Sequence, residues 1–397
     1  MRLLLLASLL GSSLAFLNSG SQHRPLLHRK TTTSIQSTTN DEEPTSNRRS
    51  FIGKSVAGAA AVGLVANKVA IEGPSPYMPP PNSLAGKVIV ITGGNTGLGL
   101  ESGKRLAAAG ATIVVTTRSI EKGAKAVEAI KEYTKENGGI VNDYIYSLPL
   151  DLCNLESVKN FPELLKNSPA LANNGKIDIL MNNAGVMAIP DLQLTKDGYE
   201  RTFQTNHLGH FALTAGLMPF MNMDGTDDAR VINVSSSAYQ ISAKGLDLDN
   251  LNGEKEYGPW SSYGNSKIEN ILFTKELDRR AKASGKKLTS IALHPGAVRT
   301  ELQRYIVGEE KNKEMESGNV GLLDRLIFGI GVYFTKAVDR GATTQIWLAS
   351  GQGGNGVGGK FYQNCQELPL ADGAKDMDTA AKLWDISEKL SGVKFSF

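Results

Sequence analysis

The sequence predicts an α/β protein with one doubly wound parallel sheet and helices on both faces. Three observations support this prediction. From Lys87 onward, short β-branched runs alternate with amphipathic stretches, as they do where crossover helices join parallel strands. A glycine-rich turn directly follows the first run, at the position where such sheets bind ligands. Six strand units span about 210 residues, a length that suits a single domain.

The predicted strands and helices follow one another in regular order, without an internal repeat. The strands are placed at Lys87–Thr92, Thr112–Thr117, Tyr144–Leu148, Ile177–Met181, Arg230–Val234 and Leu288–Leu293. The helices are placed at Gly97–Ala109, Ile120–Asn137, Leu155–Lys166, Gly198–Met221 and Ser262–Ser284.

The composition excludes several classes of protein. A chain with 41% hydrophobic and 21% charged residues is typical of a globular protein and not of a disordered or fibrous one. Two cysteines and five scattered histidines predict neither a disulfide framework nor a metal site. Residues 1–80 carry eight Lys and Arg against four Asp and Glu. The rest of the chain is therefore near neutral, and we expect no nucleic-acid partner.

The N-terminal region resembles a series of targeting segments followed by a linker. Residues 1–16 have the basic, apolar and small-residue pattern of a signal peptide, and residues 17–47 have a Ser/Thr-rich, transit-like composition. Residues 48–72 open with an Arg-Arg pair and predict a twin-arginine-like signal or a membrane anchor. A Pro-rich linker is predicted at 73–82, and the folded domain at 83–397. This order resembles the bipartite presequences of secondary plastids. We therefore expect a plastid location, with the thylakoid lumen and the membrane surface among the open alternatives.

The glycine-rich turn Thr92–Gly99 predicts a dinucleotide phosphate site. Glycine is needed where the backbone takes positive φ and approaches a pyrophosphate closely. The helix that follows directs its free N–H groups at the phosphates. A plain strand–helix turn is the alternative interpretation. The candidate residues are Gly93, Asn95, Thr96, Gly97, Leu98 and Gly99.

The residues after the second strand bear on the choice of cofactor. Sites for NAD place a carboxylate there for the ribose 2′-hydroxyl, whereas NADP sites use a basic group for the 2′-phosphate. Here Arg118 lies between Thr117 and Ser119, and no carboxylate is present. A guanidinium suits a phosphate, so NADP(H) is predicted; a solvated surface arginine is the alternative.

Polar side chains are predicted to meet at the carboxyl edge of the sheet. Tyr263 and Lys267 share one helix face because they are four residues apart, and a cation beside a phenol favours the phenolate. Such a pair is usually part of a solvated helix surface. Here, however, Ser235–Ser237 and Asn182–Gly185 end two strands at the same edge, and Asn206 lies between them in the chain. The set predicts an acid–base site.

In chain order, these motifs resemble the short-chain dehydrogenase/reductase family, which has a Rossmann-type fold. The resemblance covers roughly residues 84–395. The segments Leu251–Tyr257, Asn270–Leu277, His294–Glu301 and Leu383–Asp385 further resemble the retinol dehydrogenase-like branch. Protochlorophyllide reductases share the scaffold, but the cysteine-containing version of their Pro-Gly loop is missing here.

The resemblance implies a role for each matching residue. Tyr263 would be the general acid/base, and Lys267 would lower its pKa and bind the nicotinamide ribose. Ser236, the middle of three serines, would hold the substrate oxygen, and Asn206 would position a water that links Lys267 to solvent. The further cofactor contacts that the resemblance implies are Asp151, Leu152, Asn183, Ala184, Gly185, Pro295, Gly296, Val298 and Thr300.

Together, these observations predict an NADP(H)-dependent oxidoreductase that interconverts an apolar, retinoid- or carotenoid-like carbonyl and alcohol. A protochlorophyllide-type C=C reductase and a non-catalytic dinucleotide-binding regulatory protein are the alternatives. Gln303–Val338 is expected to be a lid over a small apolar substrate that also contacts a membrane surface, or an ordinary core or dimer helix. Homodimerisation through the long helices is implied by the resemblance alone.

Overall fold

The computed structural model describes residues 72–137, 142–172, 175–299, 335–351 and 357–397. Its strands are β1 (Val88–Thr92), β2 (Thr112–Thr117), β3 (Ile145–Pro149), β4 (Ile179–Asn182), β5 (Ala229–Val234), β6 (Leu288–Leu293), β7 (Lys360–Gln363) and β8 (Gln366–Glu367). Its helices are α1 (Gly97–Ala108), α2 (Ile120–Asn137), α3 (Leu155–Lys166), α4 (Arg201–Phe203), α5 (Gly209–Leu217), α6 (Pro259–Ala283), α7 (Val338–Gly341), α8 (Thr343–Ala349) and α9 (Met377–Ser391). A π-helical turn, Gln204–Leu208, joins α4 to α5.

The strands form one sheet in the order β3-β2-β1-β4-β5-β6-β7-β8. Strands β1 to β7 are parallel, and β8 is antiparallel to β7. The predicted doubly wound fold is confirmed. Because β1 pairs with both β2 and β4, the strand order reverses at β1, and a ligand crevice is expected at the carboxyl ends of β1 and β4.

Alternating side chains of the central strands enter cores on the two faces of the sheet. Val88 and Val90 belong to a core that includes Phe211 and Trp384, whereas Ile89 and Ile91 belong to a core with Ile113 and Ile346. Successive residues of a strand point to opposite faces. A strand buried on both faces therefore consists of apolar residues throughout, which is why the strand runs were recognisable in the sequence.

Two helices begin at a different residue from the one predicted. The helix predicted at Gly198–Met221 begins at Arg201 and contains the π turn, because the Glu200 side chain accepts the N–H groups of Thr202 and Phe203 and caps the helix there. The helix predicted from Ser262 begins at Pro259, since the fixed φ of proline suits a first helical position.

The C-terminal helix α9, which the sequence analysis did not predict, packs over α5 and α6. The Trp384 ring lies 5.1 Å from Phe211 and 5.9 Å from Phe273, measured between ring centroids. The hydroxyl of Tyr199 donates to the carbonyl of Leu390 over 2.9 Å. The helix ends at Gly392, whose φ of 65° is the left-handed conformation that terminates helices.

The compact unit of the described residues begins at Glu72, upstream of the predicted domain start at Ser83. Tyr77 donates its backbone N–H to Thr343 Oγ1, and its carbonyl accepts from Arg105. Arg340 donates to the carbonyl of Gly73. The upstream residues predicted as a linker therefore contact α1, α7 and α8.

Candidate active site

Thr92, at the end of β1, organises the carboxyl edge of the sheet. Its hydroxyl oxygen accepts the backbone N–H groups of Asn183 and Ala184, each over 2.9 Å. His210 Nε2 lies 2.8 Å from the same oxygen, and His210 Nδ1 lies 3.0 Å from the carbonyl of Asn206. Since a carbonyl only accepts, Nδ1 carries the proton and Nε2 accepts from Thr92. Every hydrogen-bonding position of the Thr92 hydroxyl is therefore used.

His210 stays neutral in this network. Burial is the main influence on the ring and lowers the pKa of His210 to about 4, although the hydrogen bond to Asn206 opposes the shift. A neutral ring can accept from Thr92 and donate to Asn206 at the same time. His210 thus connects the glycine-rich turn to the Asn206 turn. Thr92 belongs to the predicted glycine-rich turn, but no role was predicted for it. His210 was not predicted, and its only signal was its position four residues after Asn206.

The glycine-rich turn has the tight geometry that a dinucleotide requires. Gly93 and Gly97 have φ values of 63° and 53°, in the left-handed region that favours glycine. A Cβ built on Gly99 would lie 2.5 Å from the carbonyl oxygen of Gly93 and 2.7 Å from Asn183 Nδ2. The start of α1 therefore packs directly against the turn. The first backbone N–H groups of α1 have no hydrogen-bond partner within the helix. Asn95, Thr96 and Leu98 lie on this turn, as predicted from the sequence, and these residues fit a dinucleotide phosphate.

Replacement of Gly99 by Ala is expected to abolish dinucleotide binding, because the added Cβ would collide with the backbone carbonyl of Gly93. Gly103→Ala is the matched control on α1, since its Cβ would meet only the flexible end of Ile130 at 2.9 Å. Quenching of protein fluorescence by NADPH measures both affinities. Equal binding by the two variants would contradict a close backbone approach at Gly99.

Arg118 and Asp151 follow neighbouring strands at the same edge. In the pairing of β2 with β3, Thr117 lies opposite Pro149, so the residues after both strands are close in register. Arg118 is exposed, and no hydrogen bond or ion pair with another described residue holds its guanidinium. The carboxylate of Asp151 accepts the N–H of Cys153 over 3.0 Å. The guanidinium of Arg118, after β2, is therefore available to bind an anion.

The adjoining Leu152 is 6% exposed. Its side chain belongs to the core cluster that includes Leu155 and Val158. Any cofactor contact by Leu152 would therefore involve its backbone or the edge of its side chain.

Ser236 and Tyr263 meet at the end of β5. Burial raises the pKa of Tyr263 to about 12, and a hydrogen bond with the Ser236 side chain opposes that shift. Ser236 also caps a 3-10 turn by accepting the N–H of Ala238 over 3.2 Å. The resemblance implies that Lys267 lowers the pKa of Tyr263, an effect that would oppose burial, and this stays a prediction. Burial therefore favours the phenol over the phenolate, so Tyr263 can act as a proton donor.

The other serines of the triplet differ from Ser236. Ser235 is 2% exposed, and its hydroxyl donates to the carbonyl of Lys267 over 2.7 Å. Through this hydrogen bond, Ser235 links α6 to the end of β5. Ser237 starts the 3-10 turn. Of the three, Ser236 is the serine whose side chain bonds to Tyr263.

Lys267 lies beneath the ring of Tyr263. Its Nζ is 5.5 Å from the centroid of that ring and donates to the carbonyl of Val234 over 3.1 Å. Burial lowers the pKa of Lys267 to about 8. The predicted helix spacing is confirmed, since both side chains lie on one face of α6, directed at the end of β5.

Asn206 lies in the π turn, a type of distortion often found at functional sites. Its Oδ1 accepts the N–H of Val186 over 2.8 Å, and its Nδ2 donates to Val186 O and Ser266 Oγ, both over 2.9 Å. Ser266 in turn donates to the carbonyl of Tyr263. Asn206 therefore ties the segment that follows β4 to helix α6. Ser266 was not predicted from the sequence.

The turn after β4 approaches both halves of the site. Ala184 lies against the turn of Gly93, where an added Cβ would be 3.0 Å from the Ala184 Cβ. At Gly185, an added Cβ would be 3.2 Å from Asn206 Oδ1 and 3.7 Å from Lys267 Nζ. This turn therefore connects the glycine-rich turn with the tyrosine and lysine.

The Pro-Gly loop follows β6 at the same edge. Pro295 and Gly296 are partly exposed, and Gly296 has a φ of 88°. Val298 forms a parallel bridge with Lys336 and is 8% exposed. Thr300 lies outside the described residues, as does most of the expected lid at Gln303–Val338.

The structure gives no indication of a metal centre. Throughout the described ranges, no group of three or more His, Cys, Asp or Glu side chains is arranged to hold a metal ion. Within the same ranges, no helix combines the length and apolar character needed to cross a bilayer.

The site combines a buried tyrosine–lysine pair with a glycine-rich turn of the dinucleotide-binding type at the same edge of the sheet. This arrangement is typical of nucleotide-dependent dehydrogenases and reductases. The sequence comparisons agree with this class. The family model for short chain dehydrogenases matches residues 87–311, and the chain belongs to this family.

The chain is similar to several retinol dehydrogenases. It is 36% identical over 312 residues to retinol dehydrogenase 12 of Homo sapiens, an alignment that covers 79% of this chain and 88% of that protein. It is 35% identical over 319 residues to retinol dehydrogenase 14 of Mus musculus, with the same coverage. The predicted resemblance to the retinol dehydrogenase-like branch is thereby confirmed.

Solved structures share the fold. An uncharacterised protein from Mycobacterium paratuberculosis matches with a TM-score of 0.59 and 32% identity, and the match covers 82% of this chain and 100% of that one. The RhlG/NADP complex from Pseudomonas aeruginosa matches with a TM-score of 0.52 and 22% identity, covering 72% and 97%. The second match supports the fold alone.

Proposed function

We propose that the protein is an NADP(H)-dependent oxidoreductase that interconverts an apolar carbonyl and its alcohol. The observation that carries the proposal is the pairing of buried, protonated Tyr263 with Ser236 at the end of β5. The exposed Arg118 at the end of β2 supports the preference for NADP(H). The retinol dehydrogenase relatives support a retinoid- or carotenoid-like substrate.

Each residue of the site has a distinct task in carbonyl reduction. Bound NADPH supplies the hydride. The Ser236 hydroxyl orients the substrate oxygen beside Tyr263, whose phenol gives that oxygen a proton. The ammonium of Lys267, beneath the ring, stabilises the phenolate that remains. Asn206 holds the π turn and α6 at a fixed separation through Val186 and Ser266.

The two directions of the reaction should respond differently to pH. Reduction uses the protonated phenol, which persists well above neutrality because burial raises the pKa of Tyr263 to about 12. Oxidation of the alcohol needs the phenolate, whose fraction grows as the pH rises toward that pKa. We expect the oxidation rate to climb between pH 7 and about pH 8, below the point at which Lys267, whose pKa burial lowers to about 8, loses its charge, while the reduction rate does not climb. Initial rates in both directions measure this, and parallel profiles would contradict Tyr263 as the titrating acid.

Product analysis tests the reaction type. The protein is incubated with NADPH and an apolar α,β-unsaturated aldehyde, and the product is identified by chromatography and mass spectrometry. The proposal predicts the unsaturated alcohol. A saturated aldehyde, or reduction of protochlorophyllide in light, would instead identify a C=C reductase.

Our proposals on the location and assembly of the protein rest on the sequence and its family resemblance alone. We propose a plastid enzyme that acts on a small apolar substrate at or near a membrane surface. Of the predicted targeting segments at 1–72, residues 1–71 lie outside the described residues. A homodimer through the long helices would have to form around α9, which covers part of α5 and α6.

A further inference from the structure

A second buried lysine, Lys336, lies against the Pro-Gly loop and has no part in the acid–base site. It is 4% exposed, and lysine is almost never so buried unless its charge is paired. Its Nζ donates to Asn364 Oδ1 over 2.5 Å. Burial lowers the pKa of Lys336 to about 8, so the ammonium form still predominates at neutral pH. Because burial of a charged group costs free energy, we expect a role for Lys336 beyond packing.

Both the backbone and the side chain of Lys336 hold the Pro-Gly loop. Its backbone N–H donates to the carbonyl of Ala297 over 2.7 Å, and its carbonyl accepts the N–H of Arg299 over 3.3 Å. Its aliphatic stem crosses Gly296, where an added Cβ would lie 2.8 Å from Lys336 Cε and 3.2 Å from Cδ. The course of the loop from Gly296 to Arg299 is therefore fixed by contacts with this one residue.

Asn364 anchors the far end of the lysine side chain. Asn364 and Cys365 form the turn between β7 and β8, with φ values of 52° and 60°, as in a tight two-residue hairpin. Gly73 packs against the same pair of side chains, since an added Cβ would lie 2.6 Å from Asn364 Oδ1 and 3.1 Å from Lys336 Nζ. The ammonium is therefore enclosed by the hairpin turn, the Pro-Gly loop and the segment that precedes β1.

The sheet order places the Pro-Gly loop far from Arg118. Strand β6 pairs with β5, which Ser236 follows, whereas β2, which Arg118 follows, is separated from β6 by β1, β4 and β5. Neighbouring strands lie about 4.8 Å apart, so β6 is about 19 Å from β2. A hydride donor must lie beside the substrate oxygen that Tyr263 protonates. The loop after β6 therefore flanks the nicotinamide half of a bound dinucleotide and not its 2′-phosphate.

We propose that Lys336 is a positioning residue that holds the Pro-Gly loop against the nicotinamide half of the bound cofactor. The inference rests on the proposed function, because it requires a nicotinamide at the end of β5. Lys336 acts through the loop: with Asn364 as its anchor, its side chain keeps Gly296 and the following backbone in the course that leaves the nicotinamide beside Tyr263.

Binding of two ligands to the full chain tests this role. Isothermal titration compares NADPH with 2′-phospho-ADP-ribose, which keeps the 2′-phosphate and the diphosphate but lacks the nicotinamide. Lys336→Met keeps the apolar stem and removes the ammonium. We expect its dissociation constant for NADPH to rise about 10-fold, and that for the fragment to change by less than about 2-fold. Equal weakening of both ligands, or no change in either, would overturn the proposal.

A variant of the hairpin turn covers the case in which Lys336→Met does not fold. Asn364→Gly removes the acceptor of the lysine, and glycine suits the positive φ of this turn. The same selective loss of NADPH affinity is expected. Cys365→Gly is the matched control, since it changes the neighbouring position of the turn and keeps the Asn364 side chain. Equal NADPH affinities in these two variants would overturn the proposal.

The unmodified protein separates this inference from the proposed function. If it binds NADPH but reduces no carbonyl, the proposed function is excluded, and the two dissociation constants of Lys336→Met still decide the role of the lysine. If it does not bind NADPH, both proposals are overturned.

Discussion

Replacement of Tyr263 by Phe is expected to lower kcat by about 100- to 10,000-fold, the usual contribution of a general acid. The variant keeps the aromatic ring, which is 5% exposed, and the Lys267 ammonium beneath it. It loses only the hydroxyl that bonds to Ser236. The dissociation constant for NADPH should therefore be unchanged. Steady-state kinetics and a fluorescence titration measure the two effects separately.

Tyr199→Phe provides the matched control. Its hydroxyl donates to Leu390 O at the contact with α9, away from Ser236. This variant loses one hydrogen bond, worth about 1 kcal/mol of stability, and should keep its kcat. Near-normal turnover by Tyr263→Phe would exclude Tyr263 as the acid.

Replacement of Arg118 by Ala should weaken NADPH binding by about 10- to 100-fold, since hydrogen bonds to charged groups contribute about 1.5–3 kcal/mol. NADH lacks the 2′-phosphate, so its dissociation constant should change little. Because the guanidinium is exposed and has no hydrogen-bond or ion-pair partner among the described residues, its removal should not disturb the fold. Isothermal titration with each nucleotide gives the two constants.

Lys125→Ala is the control for a general loss of positive charge. This lysine lies on α2, is 74% exposed, and forms only a surface ion pair with Glu121. Its removal should leave both dissociation constants nearly unchanged. An equal loss of NADPH and NADH binding in Arg118→Ala would contradict the assignment to the 2′-phosphate.

The central sheet could be predicted because its strands are buried on both faces. The residues of β1, Val88–Thr92, are all buried, so the strand forms a continuous apolar run. The glycine-rich turn and the Tyr263–Lys267 pair were equally visible, since each depends on residues close together in the chain. Local patterns therefore predicted the fold class and the positions of the main site residues.

Features that depend on tertiary contacts could not be predicted in this way. Strands β7 and β8 have only four and two residues, too few for a periodic pattern. The tautomer of His210 follows from Thr92 and Asn206, which are brought together only by the fold. The pKa of Tyr263 depends on burial, which the spacing to Lys267 does not reveal.

The most direct test of the proposed function is NADPH consumption by the purified protein with a panel of apolar aldehydes and ketones, with protochlorophyllide in light as one member. We expect that retinal-like carbonyls are reduced to alcohols, that NADPH is preferred to NADH, and that Tyr263→Phe abolishes the reaction. Tight NADPH binding without turnover of any member of the panel would contradict the proposed function and favour a dinucleotide-binding protein without this catalytic activity.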